Sequence, residues 1–149
     1  MIKEFNSLEE IQKYYDKNTN TYVFKENGFY IDLVKFNFNL RISANIDACD
    51  IKAGNIKAID IDALDINADD INANDINVND INARNIDAEN IDALDIIAYG
   101  DIKADDISYN ALCFAYNNIK CKSITGFKKN AKHFVLDGKL EVEEDEKED

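Results

Sequence analysis

The sequence predicts an all-β protein, a parallel β-solenoid wound from five-residue repeats and closed at its ends by aromatic-rich segments. Three observations predict it. Isoleucine recurs at 46, 51, 56, 61, 66, 71, 76, 81, 86, 91 and 96. Asn or Asp precedes every one of these isoleucines, from Asn45 and Asp50 to Asn90 and Asp95, and a small residue follows two places later, from Ala48 and Ala53 through Val78 to Ala98. Aromatic residues are missing from 39 to 98 yet number nine in residues 1–38 and six in residues 99–134.

A period of five suits neither regular element. On an α-helix, each isoleucine would sit about 140° around from the last, so no stripe could be buried. On a straight strand side chains alternate with period two, so an odd spacing would send successive isoleucines to opposite faces. A chain that turns a corner every five residues resolves the conflict. Each side then offers an inward isoleucine, an outward residue, an inward alanine and a corner, and coils stack at about 4.8 Å with parallel-strand hydrogen bonds. Asn and Asp tolerate the backbone of tight corners and bond to nearby backbone. A small inward residue beside a larger one fills a narrow axis without voids, and such an axis excludes aromatic rings.

The ends of the repeat divide the chain. Residues 1–42 are expected to form an N-terminal cap. In it, "SLEEIQKYYD" reads as a short helix, with Ser7 as N-cap and Glu10 as its capping-box partner, and "TYVFKENGFYIDLV" reads as a hairpin turning at Asn27-Gly28. "FNFNLRISANI" alternates apolar and polar residues and leads into the first coil. Residues 43–127 form the solenoid. One extra residue falls between Ile96 and Ile102, and Gly100 marks a bulge or small loop there. Ile107, Leu112, Ile119 and Ile124 continue the coil less regularly. Residues 128–142, around Asp137-Gly138, read as a closing hairpin, and 143–149 as an acidic, disordered tail.

Residues 44–125 resemble the pentapeptide-repeat family, written A-(D/N)-L-x-x, in which the central apolar residue points inward and Asp or Asn stands before it. Here the isoleucines and the Asn/Asp column match. The family's alanine lies two places before the central residue, where this chain has Asp69, Asn74, Asn79, Arg84 and Glu89; its own alanine lies two places after, as in "DINA". The resemblance implies a right-handed quadrilateral β-helix. The spacing by itself leaves three or four sides per coil open.

Charge bounds the partners. The chain carries −13, distributed as zero over 1–42, −12 over 43–111, +5 over 112–140 and −6 over 141–149. Phosphates would be repelled by the middle, so direct nucleic-acid binding is not expected. No apolar run is long enough to span a membrane, and "MIKEFNSLEE" lacks the apolar core of a signal peptide. Cys49, Cys113 and Cys121 form no close metal-ligand pair; they read as reduced thiols, and the expected compartment is the cytoplasm. Cys121 falls in the small inward column, whereas Cys49 and Cys113 are expected at outward or corner places.

No motif points to catalysis: the chain has no phosphate-binding glycine loop, no G-x-S-x-G and no H-E-x-x-H. The single histidine, His133, reads as an ordinary structural or surface residue. An enzyme is not expected, nor any cofactor or metal. Asp60, Asp62, Asp65, Asp69 and Asp70 crowd together in sequence, but repeated solvated carboxylates serve solubility more often than cation binding. Two functions remain. The first is a non-catalytic protein-interaction or structural module, partnered by a basic protein surface or by self-association as a homodimer, with an apolar patch at Ile59, Leu64, Leu94, Ile97 and Tyr99. The second follows from the resemblance, since some pentapeptide-repeat proteins imitate a DNA duplex; Asp62, Asp69, Glu89 and Asp92 would then stand in for phosphates toward a DNA-binding enzyme.

Overall fold

A computed structural model describes residues 1–143, with the side chains of residues 65, 68–70, 72–75, 77–80 and 82 outside the description. The expected disordered tail therefore falls almost wholly outside the described residues.

The chain winds into a parallel β-solenoid, and its register counts the sides. Ile61 pairs with Ile46, Ile66 with Ile51 and Ile71 with Ile56, each a step of fifteen residues. Three five-residue sides therefore close one coil, where the resemblance implied four. The fifteen-residue return leaves a section that the inward isoleucines and alanines of three sides fill, with the isoleucines at most 2% exposed. We name the sides by their inward columns. Side A carries Tyr22, Ile46 and Ile61, and farther on Ile91, Ile107 and Ile124. Side B carries Val34, Ile51 and Ile66, then Ile96, Cys113 and His133. Side C carries Leu40, Ile56 and Ile71, then Ile86, Ile102, Ile119 and Leu140. From Ile46 to Ile124 the chain makes five turns, a rod of about 24 Å at strand spacing.

Asp60–Ala98 runs as one continuous 39-residue strand that bends at each corner without leaving extended conformation. Its isoleucines of the five-residue column are at most 2% exposed, as are the inward isoleucines on either side of it from Ile46 to Ile119. Among the described small residues, Ala48, Ala58, Ala63, Ala83, Ala93 and Ala98 are buried too. Residues between them, such as Asp62, Asp87 and Asp92, are exposed. The inward Ile and Ala columns stand as read from the sequence.

Beyond Ala98 the coil lengthens. Ile102 sits sixteen residues from Ile86, Cys113 seventeen from Ile96, and Leu140 twenty-one from Ile119. Gly100 takes the first extra residue. Its N–H donates to Arg84 O at 2.7 Å, and a Cβ there would lie 2.2 Å from Asn85 Oδ1. The wider section admits larger inward groups: Tyr109, on Ala93, is 1% exposed, and Cys113 is fully buried in the isoleucine column rather than at an outward or corner place. The closing hairpin is replaced by further winding. Lys132–Val135 pairs in parallel with side B, and Leu140–Val142 in parallel with side C, so Asp137-Gly138 lies at the corner between two sides.

At the other end, the solenoid begins inside the expected cap. Thr21–Val23, Leu33–Phe36 and Leu40–Arg41 pair in parallel with sides A, B and C of the following coil. The expected hairpin is present: Lys25–Glu26 pairs antiparallel with Phe29–Tyr30, and Asn27 and Gly28 both take positive φ (51° and 82°) as a two-residue hairpin turn requires. The helix spans only Leu8–Ile11 and buries Ile11. Ser7 makes no side-chain cap bond; the Glu10 carboxylate accepts the Asn6 N–H instead, at 2.9 Å. Phe5, Tyr14, Phe24 and Phe36 pack with ring centroids 5.3–5.9 Å apart and cover the axis. Beside them the Lys3 ammonium, and after it the Tyr14 hydroxyl, hold the Glu26 carboxyl down to about 2.

Ile71→Asp should cost roughly 4 kcal/mol or more, since it forces a carboxylate into an axis with no polar partner, whereas the exposed Asp62→Asn should change stability by under about 0.5 kcal/mol. Equal losses in denaturant melts of the two variants would contradict the inward assignment.

Candidate functional site

At five corners among the described residues, all where the coil step exceeds fifteen residues, the side chain before the inward residue has structural work. Its Oδ1 accepts the backbone N–H that arrives one coil later. Asn39 accepts from Asn55 at 3.1 Å, Asn85 from Asp101 at 2.9 Å, Asp95 from Leu112 at 3.0 Å, Asp101 from Asn118 at 3.1 Å and Asn118 from Lys139 at 3.1 Å. A backbone donor left over at a bend is thus satisfied by a side chain, as the accounting for buried backbone requires. Asp and Asn serve equally because each supplies the same acceptor, which explains their interchange along the column. Asp95 and Asp101 thus each commit one carboxylate oxygen to the corner.

The freely presented groups are the residues that follow each isoleucine, and the three sides differ in them. Side A shows Asp47 on Asp62, then Asp92, Ser108 and Thr125. Side B shows Lys35, Lys52 and Asn67, then Ile97, Phe114 and Phe134. Side C shows Arg41 and Lys57, then Asp87, Lys103, Lys120 and Glu141. The exposed carboxylates of Asp62 and Asp92 therefore share side A. Glu89 is exposed at the corner between sides C and A, and the Asp69 side chain lies outside the described residues.

A shallow groove of about 360 Å³ runs over side A, lined by Thr21, Asn45, Asp47, Asp60 and Asp62. Tyr30 Oη donates to both Asp47 oxygens at 2.8 Å. The aspartates that crowd in sequence are dispersed by the winding: Asp60 opens side A, Asp65 opens side B beside Asp50, and Asp70 opens side C beside Asn55. Among the described residues, no group of three or more His, Cys, Asp or Glu is placed to hold a metal ion.

The expected apolar patch is split and then enlarged. Ile59 stands alone at the corner before side A, and Leu64 shares its corner column with Leu94 but two coils away. Leu94, Ile97 and Tyr99 span side B of one coil. Above Ile97 stand Phe114 and Phe134, their ring centroids 4.9 Å apart. Above Tyr99 stand Tyr116 and Leu136, whose backbones bond to Ala98 and Ala115 of the coil beneath. Tyr99 is 59% exposed, Tyr116 43%, Phe134 46% and Leu136 63%. Phe114, Tyr116, Phe134 and Leu136 escaped the sequence reading because their coil steps are not multiples of five. The signal was nevertheless present, since "CFA" at 113–115 and "HFV" at 133–135 repeat the in-out-in order of "IIA" at 96–98.

His133 is exposed, and its Nδ1 lies 2.7 Å from the Tyr109 hydroxyl. Burial, and secondarily Cys121, pushes the Cys113 thiol up to about 12; burial likewise raises Cys121. Among the described residues no helix is long and apolar enough to cross a membrane. Comparison with family models, with curated proteins and with solved structures finds no match to the chain.

Two outcomes follow from this geometry. Asp95→Ala should lose about 1 kcal/mol by orphaning the Leu112 N–H, while Asp95→Asn keeps the acceptor and should stay within about 0.5 kcal/mol of wild type in thermal melts. Under native conditions at pH 8, iodoacetamide should modify Cys49 well before Cys113 or Cys121, because a buried thiol held far above the ambient pH supplies almost no thiolate; peptide mapping of the labelled protein reads the order.

Proposed function

We propose that this chain is a non-catalytic protein-interaction module, a stiff rod that presents an apolar strip to a protein surface. The observation that carries the reading is the outward column Ile97–Phe114–Phe134 with its flank Tyr99–Tyr116–Leu136. Among the described residues, the outward columns of sides A and C are polar or charged. Half-exposed aromatic residues in contiguous order on an otherwise charged rod mark a surface that is covered when the protein works. Lys132 borders the strip at its entering corner, and the carboxylates of side A offer a second face to a basic surface. A cytoplasmic setting is supported by three reduced thiols.

The pentapeptide likeness and the mimicry that came with it draw support from one feature, the Asp47–Asp62 stack with Asp92 farther along the same side. A duplex, however, is negative around its whole circumference, with one charge per about 1.7 Å of axis. Here side B starts with Lys35 and Lys52 and side C with Arg41 and Lys57. The interaction module is therefore the stronger reading.

The two separate in one experiment. Phe114→Ser with Phe134→Ser removes the strip, and Asp47→Asn, Asp62→Asn and Asp92→Asn together neutralise side A. Immobilised wild type and both variants would be compared for protein capture at low and high salt. Capture that falls at least tenfold with the strip variant and little with salt supports docking through side B. Capture lost with the carboxylates and screened by salt supports a basic partner on side A and rejects the strip.

A further inference from the structure

The strip on side B has an internal symmetry that points to its occupant. Three columns rise over its last three coils: Asp95–Leu112–Lys132 at the entering corner, Ile97–Phe114–Phe134 in the middle, and Tyr99–Tyr116–Leu136 at the leaving corner. The first column begins with an anion and ends with a cation, with an apolar residue between them. The other two are apolar throughout. We propose that side B is a self-docking surface, on which a second copy of this chain lies antiparallel about a two-fold axis that runs along the strand through Leu112 and Phe114.

Under that operation Asp95 meets Lys132 of the second copy, and Lys132 meets its Asp95. Leu112 and Phe114 meet their own equivalents, Ile97 meets Phe134 and Tyr99 meets Leu136. A closed two-fold contact needs one patch complementary to itself, and the charged corner column satisfies this only when the copies run in opposite directions. In the parallel arrangement the two-fold runs along the rod and exchanges the two corners, so Asp95 would face Tyr99 and Lys132 would face Leu136, leaving each charge against an apolar side chain with no opposite partner. These pairs, in which Asp95 is half-buried and Lys132 exposed, add little affinity but select the orientation.

Size sets the expected strength. Aromatic side chains offer on the order of 150–250 Å² each, so the half-exposed groups of the strip supply on the order of 400–500 Å² per copy. That is below the roughly 800 Å² per partner of a tight standard complex, and the dimer should be a weak one with Kd on the order of 10–100 μM. The inference rests on the docking reading of side B and names its occupant.

Sedimentation velocity of the full chain from about 5 to about 500 μM tests it. The expected result is a monomer that converts to dimer across that range, with Phe114→Asp shifting the conversion at least tenfold upward. Far-UV circular dichroism and melting of the variant check that this outward substitution leaves the solenoid intact. Orientation is read by disulfide trapping in a Cys49→Ser background. Ile97→Cys and Phe134→Cys proteins should cross-link efficiently when mixed and poorly alone. A wild-type protein that stays monomeric throughout overturns the proposal, as does a dimer indifferent to Phe114→Asp, or trapping of Ile97→Cys with itself in preference to the mixture. Failure of the docking reading looks different: the strip variants would then lose none of the proteins captured by the wild type.

Discussion

Each coil of this protein is built on the backbone of the one before it. Parallel hydrogen bonding demands that residues in successive coils stand directly over each other, so each coil must bring its sides back into register and any extra residues must be taken up at the corners. Fifteen residues meet that demand through the repeat because three sides of five return Ile61 to Ile46 and Ile71 to Ile56. The isoleucine stack, the Asn/Asp ladder at the corners and the outward columns all follow from that closure. Where a coil is longer than fifteen residues, an Asn or Asp side chain takes up the backbone donor stranded at the bend, as Asn85 does for Asp101 and Asp95 for Leu112.

The same constraint decides where charge is presented. Of the acids at corners, Asp95 and Asp101 spend an oxygen on the next coil, whereas Asp62 and Asp92 are exposed on side A. The rod is therefore less uniformly anionic than its net charge of −13 suggests. It has one acidic side and two sides that start with lysine or arginine, and only side B changes from basic to apolar along its length. A partner that reads this surface meets a sided object, and the apolar end of side B is the part least like ordinary soluble surface.

How much of this was legible beforehand varies with regularity. The inward isoleucines and alanines and the Asn27-Gly28 hairpin could be read directly, because each is fixed by a local rule of spacing or φ. The number of sides could not, because a period of five is compatible with any closed polygon, and only the long-range register distinguishes fifteen residues from twenty. Beyond Ala98 the reading failed for a related reason. Once the coil step becomes seventeen and then twenty or twenty-one, residues that stack are no longer in phase in the sequence, so Cys113 was placed outside when it is inside and Lys132–Val135 was read as half of a hairpin. The apolar strip lies mostly in that segment. Leu94, Ile97 and Tyr99 were recognised at its regular edge, whereas Phe114, Tyr116, Phe134 and Leu136 were out of phase.

The equivalence of the three sides in the regular segment makes the rod behave like a combination lock. One five-residue unit inserted near Ile76 would keep every inward contact type and every corner acceptor, yet it would turn everything downstream by about a third of a revolution. The aromatic column would then stand above the lysines of a different side, on a molecule that folds as before. Three such units would restore the alignment and merely lengthen the rod. The facing of the strip relative to the N-terminal cap is thus a counted quantity, open to change in discrete steps that leave stability almost untouched.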